Sequence, residues 1–299
     1  MKIIRPLVIT DAMVVATNVP ENDYPAYSAA ATYAVGDRII VVGPGVHKIY
    51  ESLQAGNIGH APADSPTYWI EVGPTNRWRP FDRSITSQVE QLSSIEYSLQ
   101  TTGINNSVAL LNMDCTIIRV TATDVEFGLV YEKTINPAAT SGISDIYSYF
   151  REPITRVNDL VLTDLPSYSN MRIDVTLTNP GNMVRCGGIV VGMMRNMGDT
   201  QYGAKVGIAD YGVKTRDKFG SFDVIEGNFS NRATFSLQLR AGEVDMVKSL
   251  LAKYRATPIV YVGSDLYVST IVYGFFKDFS IDISYPTYSI CSLELEGLT

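Results

Sequence analysis

Apolar and polar residues alternate with period two along Arg172-Ile173-Asp174-Val175-Thr176-Leu177-Thr178, and again along Thr234-Phe235-Ser236-Leu237-Gln238-Leu239-Arg240. This period turns one side of a segment toward a core and the other toward water, which predicts half-buried antiparallel strands. Residues 115–123 and 279–285 read the same way, and Cys291 takes an inward position in the alternating run 289–295. A different period governs residues 242–256. There Val244, Val247, Leu251 and Tyr254 recur every three or four positions, Glu243 and Asp245 open the segment, and Lys248, Lys253 and Arg255 close it. Spacing and charge order together predict an amphipathic helix set against its macrodipole and stopped by Pro258. The expected fold class is mainly β, with one amphipathic helix near 242–256.

Between residues 21 and 75 the texture changes. Pro25, Pro44, Pro62, Pro66 and Pro74 punctuate a stretch rich in Gly, Ala and aromatic residues. Two cations, Arg38 and Lys48, face six carboxylates, Glu21, Asp23, Asp37, Glu51, Asp64 and Glu71, a net of −4 out of −7 for the whole chain. This reads as a small, separately folded aromatic module with a turn at Gly36-Asp37 and a boundary near residues 73–76.

Charge and cysteine content narrow the function classes. The 299 residues carry 24 Lys and Arg against 31 Asp and Glu. An acidic chain without clustered cations lacks the electrostatic attraction behind most nucleic-acid affinity, so neither nucleic acid nor an anionic membrane is an expected partner. The longest apolar run, residues 266–276, lies between Asp265 and Lys277 and is too short to span a bilayer; it reads as a buried strand pair or core segment. The opening residues, interrupted by Arg5 and Pro6, do not form a signal peptide, so synthesis in a cytoplasm is expected. Three scattered cysteines, Cys115, Cys186 and Cys291, can build neither a complete disulfide framework nor a metal quartet, and are expected as small buried hydrophobes.

Catalytic signatures are scarce. Histidine occurs only at His47 and His60, and no string for a zinc protease, serine hydrolase, phosphate-binding loop or dinucleotide fold is present. Asp278 with Asp282, and Glu294 with Glu296, sit at even spacing along predicted strands, where they read as the solvated side of a sheet, although such pairs can also serve acid/base chemistry. No catalytic residue, cofactor or metal site is assigned.

The spacing Tyr27, then Tyr33-Ala34-Val35-Gly36-Asp37-Arg38-Ile39, then Val46-His47-Lys48-Ile49-Tyr50, then Pro62, Pro66 and Tyr68-Trp69 predicts three strands. It resembles carbohydrate-binding modules of families 5 and 12 over about 55 residues. Members stack exposed aromatic faces on sugar rings, so the resemblance implies Tyr24, Tyr27, Tyr33, Tyr50 and Trp69 as carbohydrate-contact candidates. Tyr27 stands where the family usually has its first Trp, and Tyr33, Tyr50 and Trp69 match positions that also hold such a minimal core together. Two further resemblances cover most of the remaining chain. Residues 106–113, 172–177 and 186–192 look like a galactose-binding-type jelly roll. Residues 201–208, 272–281 and 285–298 look like the structural tail proteins of tailed bacteriophages.

The expected organisation is an N-terminal strand or arm over 1–20, the carbohydrate-binding-like module over 21–75, a β-sandwich over 76–195 and an α+β portion over 196–299. The expected function is a non-enzymatic virion protein of a phage tail or baseplate. It oligomerises around the tail axis with copies of itself and other tail proteins, and displays the module to host-surface polysaccharide or a neighbouring subunit. A polysaccharide-degrading hydrolase and a protein-protein adapter are the alternatives.

Overall fold

The computed structural model describes residues 1–138, 145–151, 155–216, 218, 220–283 and 285–298. Strands β1 (Lys2–Pro6) and β2 (Val14–Thr17) precede the small module, which contains β3 (Arg38–Val41), β4 (Lys48–Ser52) and β5 (Trp69–Pro74). After a 3-10 turn over Asn76–Phe81 come β6 (Val89–Gln100), β7 (Ser107–Asp114), β8 (Ile117–Asp124), β9 (Gly128–Ile135), a short helix α1 (Ile146–Arg151), β10 (Leu160–Leu162) and β11 (Arg172–Asn196). The last third holds β12 (Asp199–Thr200), β13 (Lys205–Asp210), β14 (Val213–Arg216), β15 (Phe222–Ile225), β16 (Phe229–Arg240), α2 (Val244–Lys253), β17 (Ile259–Val262), β18 (Ile271–Asp282) and β19 (Tyr288–Gly297). The chain is mainly β, and the body between the module and β12 is compatible with a jelly roll.

The spine is β11. Its first half alternates buried and half-exposed residues between β6 and β8, as the period-two pattern predicts. Asn179 to Met183 forms an irregularity in the ladder with Gly181 at φ +74°, and the strand then resumes. From Cys186 to Gly192 every residue is buried, because both faces are now covered. Ile189 and Val191 pack with Trp78, Leu110 and Val108 on one side, and Val190 packs with Ile4, Ala109 and Val260 on the other.

Strand β1 lies antiparallel between β11 and β17, with Lys2 opposite both Asn196 and Val262. One ladder therefore runs from β11 through β1, β17, β18 and β19 to β16. The second core lies on this far part of the sheet, where Phe235, Leu237, Leu293 and Tyr261 meet Val247, Leu251 and Tyr254 of the helical segment. The helix forms where its periodicity places it, with a 3-10 turn over Ala241–Glu243 leading in and Tyr254 closing it.

Two expectations change. The apolar run 266–276 is not buried throughout: Leu266 is 85% exposed in a turn held by the Thr270 hydroxyl, and burial begins at Thr270, just before β18 enters the ladder at Ile271. The strand expected over 279–285 ends at Asp282, and residue 284 lies outside the described residues. The three cysteines are free and buried, with burial pushing the Cys115 and Cys291 thiols up to about 11 and Cys186 to about 12.

Three measurements check this packing. A Cβ at Gly192 would lie 1.9 Å from the Arg5 carbonyl oxygen, so Gly192→Ala should force β1 away from β11 and cost about 1–3 kcal/mol in chemical denaturation, whereas Gly242→Ala, with open space around it, should cost far less. All three thiols should resist a disulfide reagent in the native protein and react together on unfolding. Burial raises the Asp159 carboxyl above its ordinary range although it accepts the Asn112 N–H at 2.8 Å. The folded state thus holds that proton more tightly than the unfolded state, so the charged form at neutral pH weakens folding. Asp159→Asn should raise the melting temperature at pH 7, with the gain shrinking as pH falls through the raised folded value toward the ordinary carboxylate range.

Candidate functional site

The module is a three-stranded antiparallel sheet ordered β3-β4-β5. Its first turn follows from the Gly36-Asp37 pair. Gly36 adopts φ +88°, a conformation that only glycine takes without strain, and the Asp37 carboxylate accepts the Ala34 N–H at 2.7 Å. The turn leads into β3 and ties it to the end of β4, since the Gly36 N–H donates to the Ser52 carbonyl and the Ser52 N–H to the Asp37 carbonyl, leaving Ile39 opposite Tyr50.

Three of the five candidate rings meet in one cluster. Tyr27 and Tyr33 stack with centroids 6.1 Å apart, and Trp69 stands edge-on to both, 5.1 Å from Tyr33 and 6.1 Å from Tyr27. Polar groups fix their angles. The Trp69 Nε1–H and the Tyr27 hydroxyl both donate to the His60 carbonyl oxygen, and the Tyr33 hydroxyl accepts the Ser28 N–H while donating to the Ser28 carbonyl. Trp69 is 2% exposed and Tyr50 8%, and with Ile39 they form the module's core. Their ring faces are occupied by protein, so these two residues support the site and do not present a face to a sugar. Tyr27 and Tyr33 are half-buried at its rim.

Tyr24 stands apart from that cluster. Its hydroxyl accepts a hydrogen bond from Arg38 Nη1 at 3.1 Å, and the guanidinium carbon lies 5.7 Å from the ring centroid, while Arg38 Nε donates to Glu51. The ring helps line a polar cleft of about 540 Å³ between module and body, together with Asp23, Arg79, Gln88 and Glu90.

Sequence reasoning passed over a second ring pair. His60 lies on Tyr68 with centroids 3.6 Å apart and an interplanar angle of 18°, and both are half-buried. Tyr68 closes the turn before β5, its N–H donating to the Ser65 carbonyl, and its ring packs at the border of the Trp69 core. Its place next to Trp69 in the sequence was the available signal.

The module is fixed to the body by a buried polar joint. Glu21 accepts from Thr75 Oγ1 at 2.7 Å, lies 2.8 Å from His47 Nδ1 and 3.6 Å from Arg77 Nη1. The other ring nitrogen of His47 is 3.4 Å from Asp11, and its ring packs 4.7 Å from that of Trp78. Arg77 Nε also donates to the Val19 carbonyl, and its own carbonyl accepts the buried Tyr97 hydroxyl. Side chains from the entry segment, β4's leading residue and the 3-10 turn thus converge on Glu21.

The carboxylates noted on the far sheet are engaged with neighbours. Glu296 accepts from Tyr211 at 2.6 Å and Arg232 at 3.4 Å, and Glu294 lies opposite Asp278 and 3.8 Å from Lys277. Among the described residues, no group of three or more His, Cys, Asp or Glu side chains is placed to hold a metal ion.

Removing a buried ring should separate frame from rim. Trp69→Ala should cost about 3–5 kcal/mol and expose the amides of β3 and β4 to hydrogen exchange, while Tyr24→Ala and Tyr27→Ala should leave most of that protection intact. Comparison of the chain with protein-family models, with curated proteins and with solved structures finds no match to any of the three.

Proposed function

We propose that this chain is a structural protein of a tailed-bacteriophage tail or baseplate, made in the host cytoplasm and assembled in several copies with other tail proteins. Its 21–75 module faces host-surface saccharide. The observation that carries the reading is the division of the module's rings: Trp69 and Tyr50 form a buried frame, while Tyr27, Tyr33, Tyr68 and His60 remain half-buried around it. Such a frame can hold flat apolar faces at a surface at little entropic cost, which is what stacking against sugar rings requires. In this reading the protein works by geometry and no bond is made or broken.

Magnitudes favour many copies. Stacking one sugar ring buries roughly 100 Å² and contributes about 2.5 kcal/mol, less than the ~4 kcal/mol or more lost on association. A single module would hold a glycan very weakly. Display of several modules on one particle raises avidity by about 10² to 10⁴. The rigid polar joint at Glu21 suits repeated display, since it keeps each copy's rings in one orientation.

The reading is tested by immunogold electron microscopy of tailed particles with antibody to this chain, paired with retention of those particles on host-surface polysaccharide. Label on the tail and loss of retention in particles carrying Tyr27→Ala with Tyr68→Ala are the expected results. Particles free of label would overturn the assignment. Labelled particles whose retention ignores both substitutions would leave the module as a contact to a neighbouring subunit.

A further inference from the structure

Strands β13 and β16 pair from Lys205 opposite Thr234 to Asp210 opposite Phe229, and the ladder resumes as β14 and β15 with Val213 opposite Ile225. The return strand carries one extra residue at the join. A Cβ at Gly227 would lie 2.8 Å from Tyr211 backbone atoms and from the Gly212 nitrogen, so only glycine lets the two strands pass so closely. Residues 205–216 and 222–234 thus pair as the two strands of one long hairpin. The neighbouring β19 covers β16 only as far as Arg232 opposite Glu296, and no described strand pairs with the outer edge of β13. Beyond Arg232 the hairpin is an arm with both edges open.

The composition of this arm is unlike that of a solvated ribbon. Every residue of β14 and β15 is exposed, and Val206, Ile208, Val213, Phe222, Val224 and Ile225 are each at least half exposed, as are Tyr211 and Phe229. Val206 and Ile208 lie opposite Ala233 and Asn231, so they continue the apolar face of the second core past the part covered by α2. A two-stranded ribbon is marginal alone in water, and open apolar edges are surfaces for pairing. At roughly 100 Å² each, these residues present on the order of 800 Å² over the two faces of the ribbon, so a partner that wraps both faces would take the share of a standard stable interface.

The other long edge of the same ladder is β9, which among the described residues pairs with β8 alone. Its leading turn is also apolar and exposed, with Val125 at 92%, Phe127 at 62% and Leu129 at 57%. The unpaired charges of that turn are acidic. Asp124 and Glu126 pair with no cation among the described residues, Asp124 being used only by the N–H groups of Glu126 and Phe127. On the arm, Lys205, Arg216 and Lys218 pair with no carboxylate and Asp223 and Glu226 with no cation among the described residues, a small cationic excess, and the Arg216 guanidinium lies 4.4 Å from the Phe222 ring centroid.

We infer that the 205–234 arm of one copy docks on the β8–β9 edge of a second copy of this chain, head to tail. The two surfaces differ, so the contact is heterologous and adds copies in one rotational sense, giving a ring when the rotation closes. The inference rests on the assembly part of the proposed function and names the surfaces that perform it.

The test uses the full chain in two variants, Ile208→Glu with Ile225→Glu on the arm, and Phe127→Glu with Leu129→Glu on the edge. All four side chains are exposed, so both variants should melt like the parent. In mass photometry the parent should form an oligomer, each variant alone should be a monomer, and their equimolar mixture should give a two-chain species, because one intact arm meets one intact edge. A monomeric parent, variants that keep the parent's size, or a mixture that stays monomeric would each overturn the inference. None of these outcomes depends on whether the chain is found on a tail, so this contact and the proposed function can fail separately.

Discussion

Everything in the body is referred to the backbone of β11. A strand of this length must satisfy its hydrogen bonds along two edges, and no single neighbour is long enough to do so. Strands β6, β8, β7 and β1 therefore take successive stretches of it, and the change of partners carries it from a half-buried sheet into a region covered on both faces. Gly187 and Gly192 sit where this crowding is greatest, against the backbones of Ile85 and Arg5. Sterically, glycine at these positions is what allows β1 to close onto β11 and so to connect the two cores.

This arrangement determines how rigidly the module can be mounted. The 3-10 turn after β5 inserts Trp78 completely into the first core, and the same turn carries Arg77 to Glu21. Burying charged groups is costly unless their partners are also fixed. Glu21 meets that condition with Thr75, His47 and Arg77 around it, and each of those is held by a second contact. The module's orientation is thus tied to the core through side chains that cannot be moved singly.

Much of this was legible locally. The period-two runs at 172–178 and 234–240, the helical spacing at Val247, Leu251 and Tyr254, the Gly36-Asp37 turn and the inward cysteines all depend on nearby residues, and each formed as its pattern indicates. The continuation of β11 past Asn179 was not legible, because Pro180-Gly181 carries the chemistry of a turn, and the strand goes on only because it pairs with β6 on both sides of a register shift between Asn179 and Met183. Nor was the place of β1 between two strands whose paired residues lie 186 or more positions away, since edge pairing leaves no periodic trace. In the module, the aromatic spacing located the ring cluster but could not tell frame from rim. That distinction depends on burial: Trp69 and Tyr50 sit on strands facing the module core, while Tyr27, Tyr33 and Tyr68 lie in turns and loops at its border.

The arm and the module make opposite use of apolar surface. In the module, rings are braced by hydrogen bonds to the His60 and Ser28 carbonyls, so each presents a fixed face and loses little freedom on contact. Affinity there is limited by the small area of one ring and grows with the number of copies. On the arm, apolar residues are spread over both faces of a thin ribbon, and their burial grows with the length of ribbon that is covered. Such a surface suits a permanent contact between subunits, and the module suits a weak, repeated one. In the proposed assembly, a subunit contact of the first kind would multiply a sugar contact of the second.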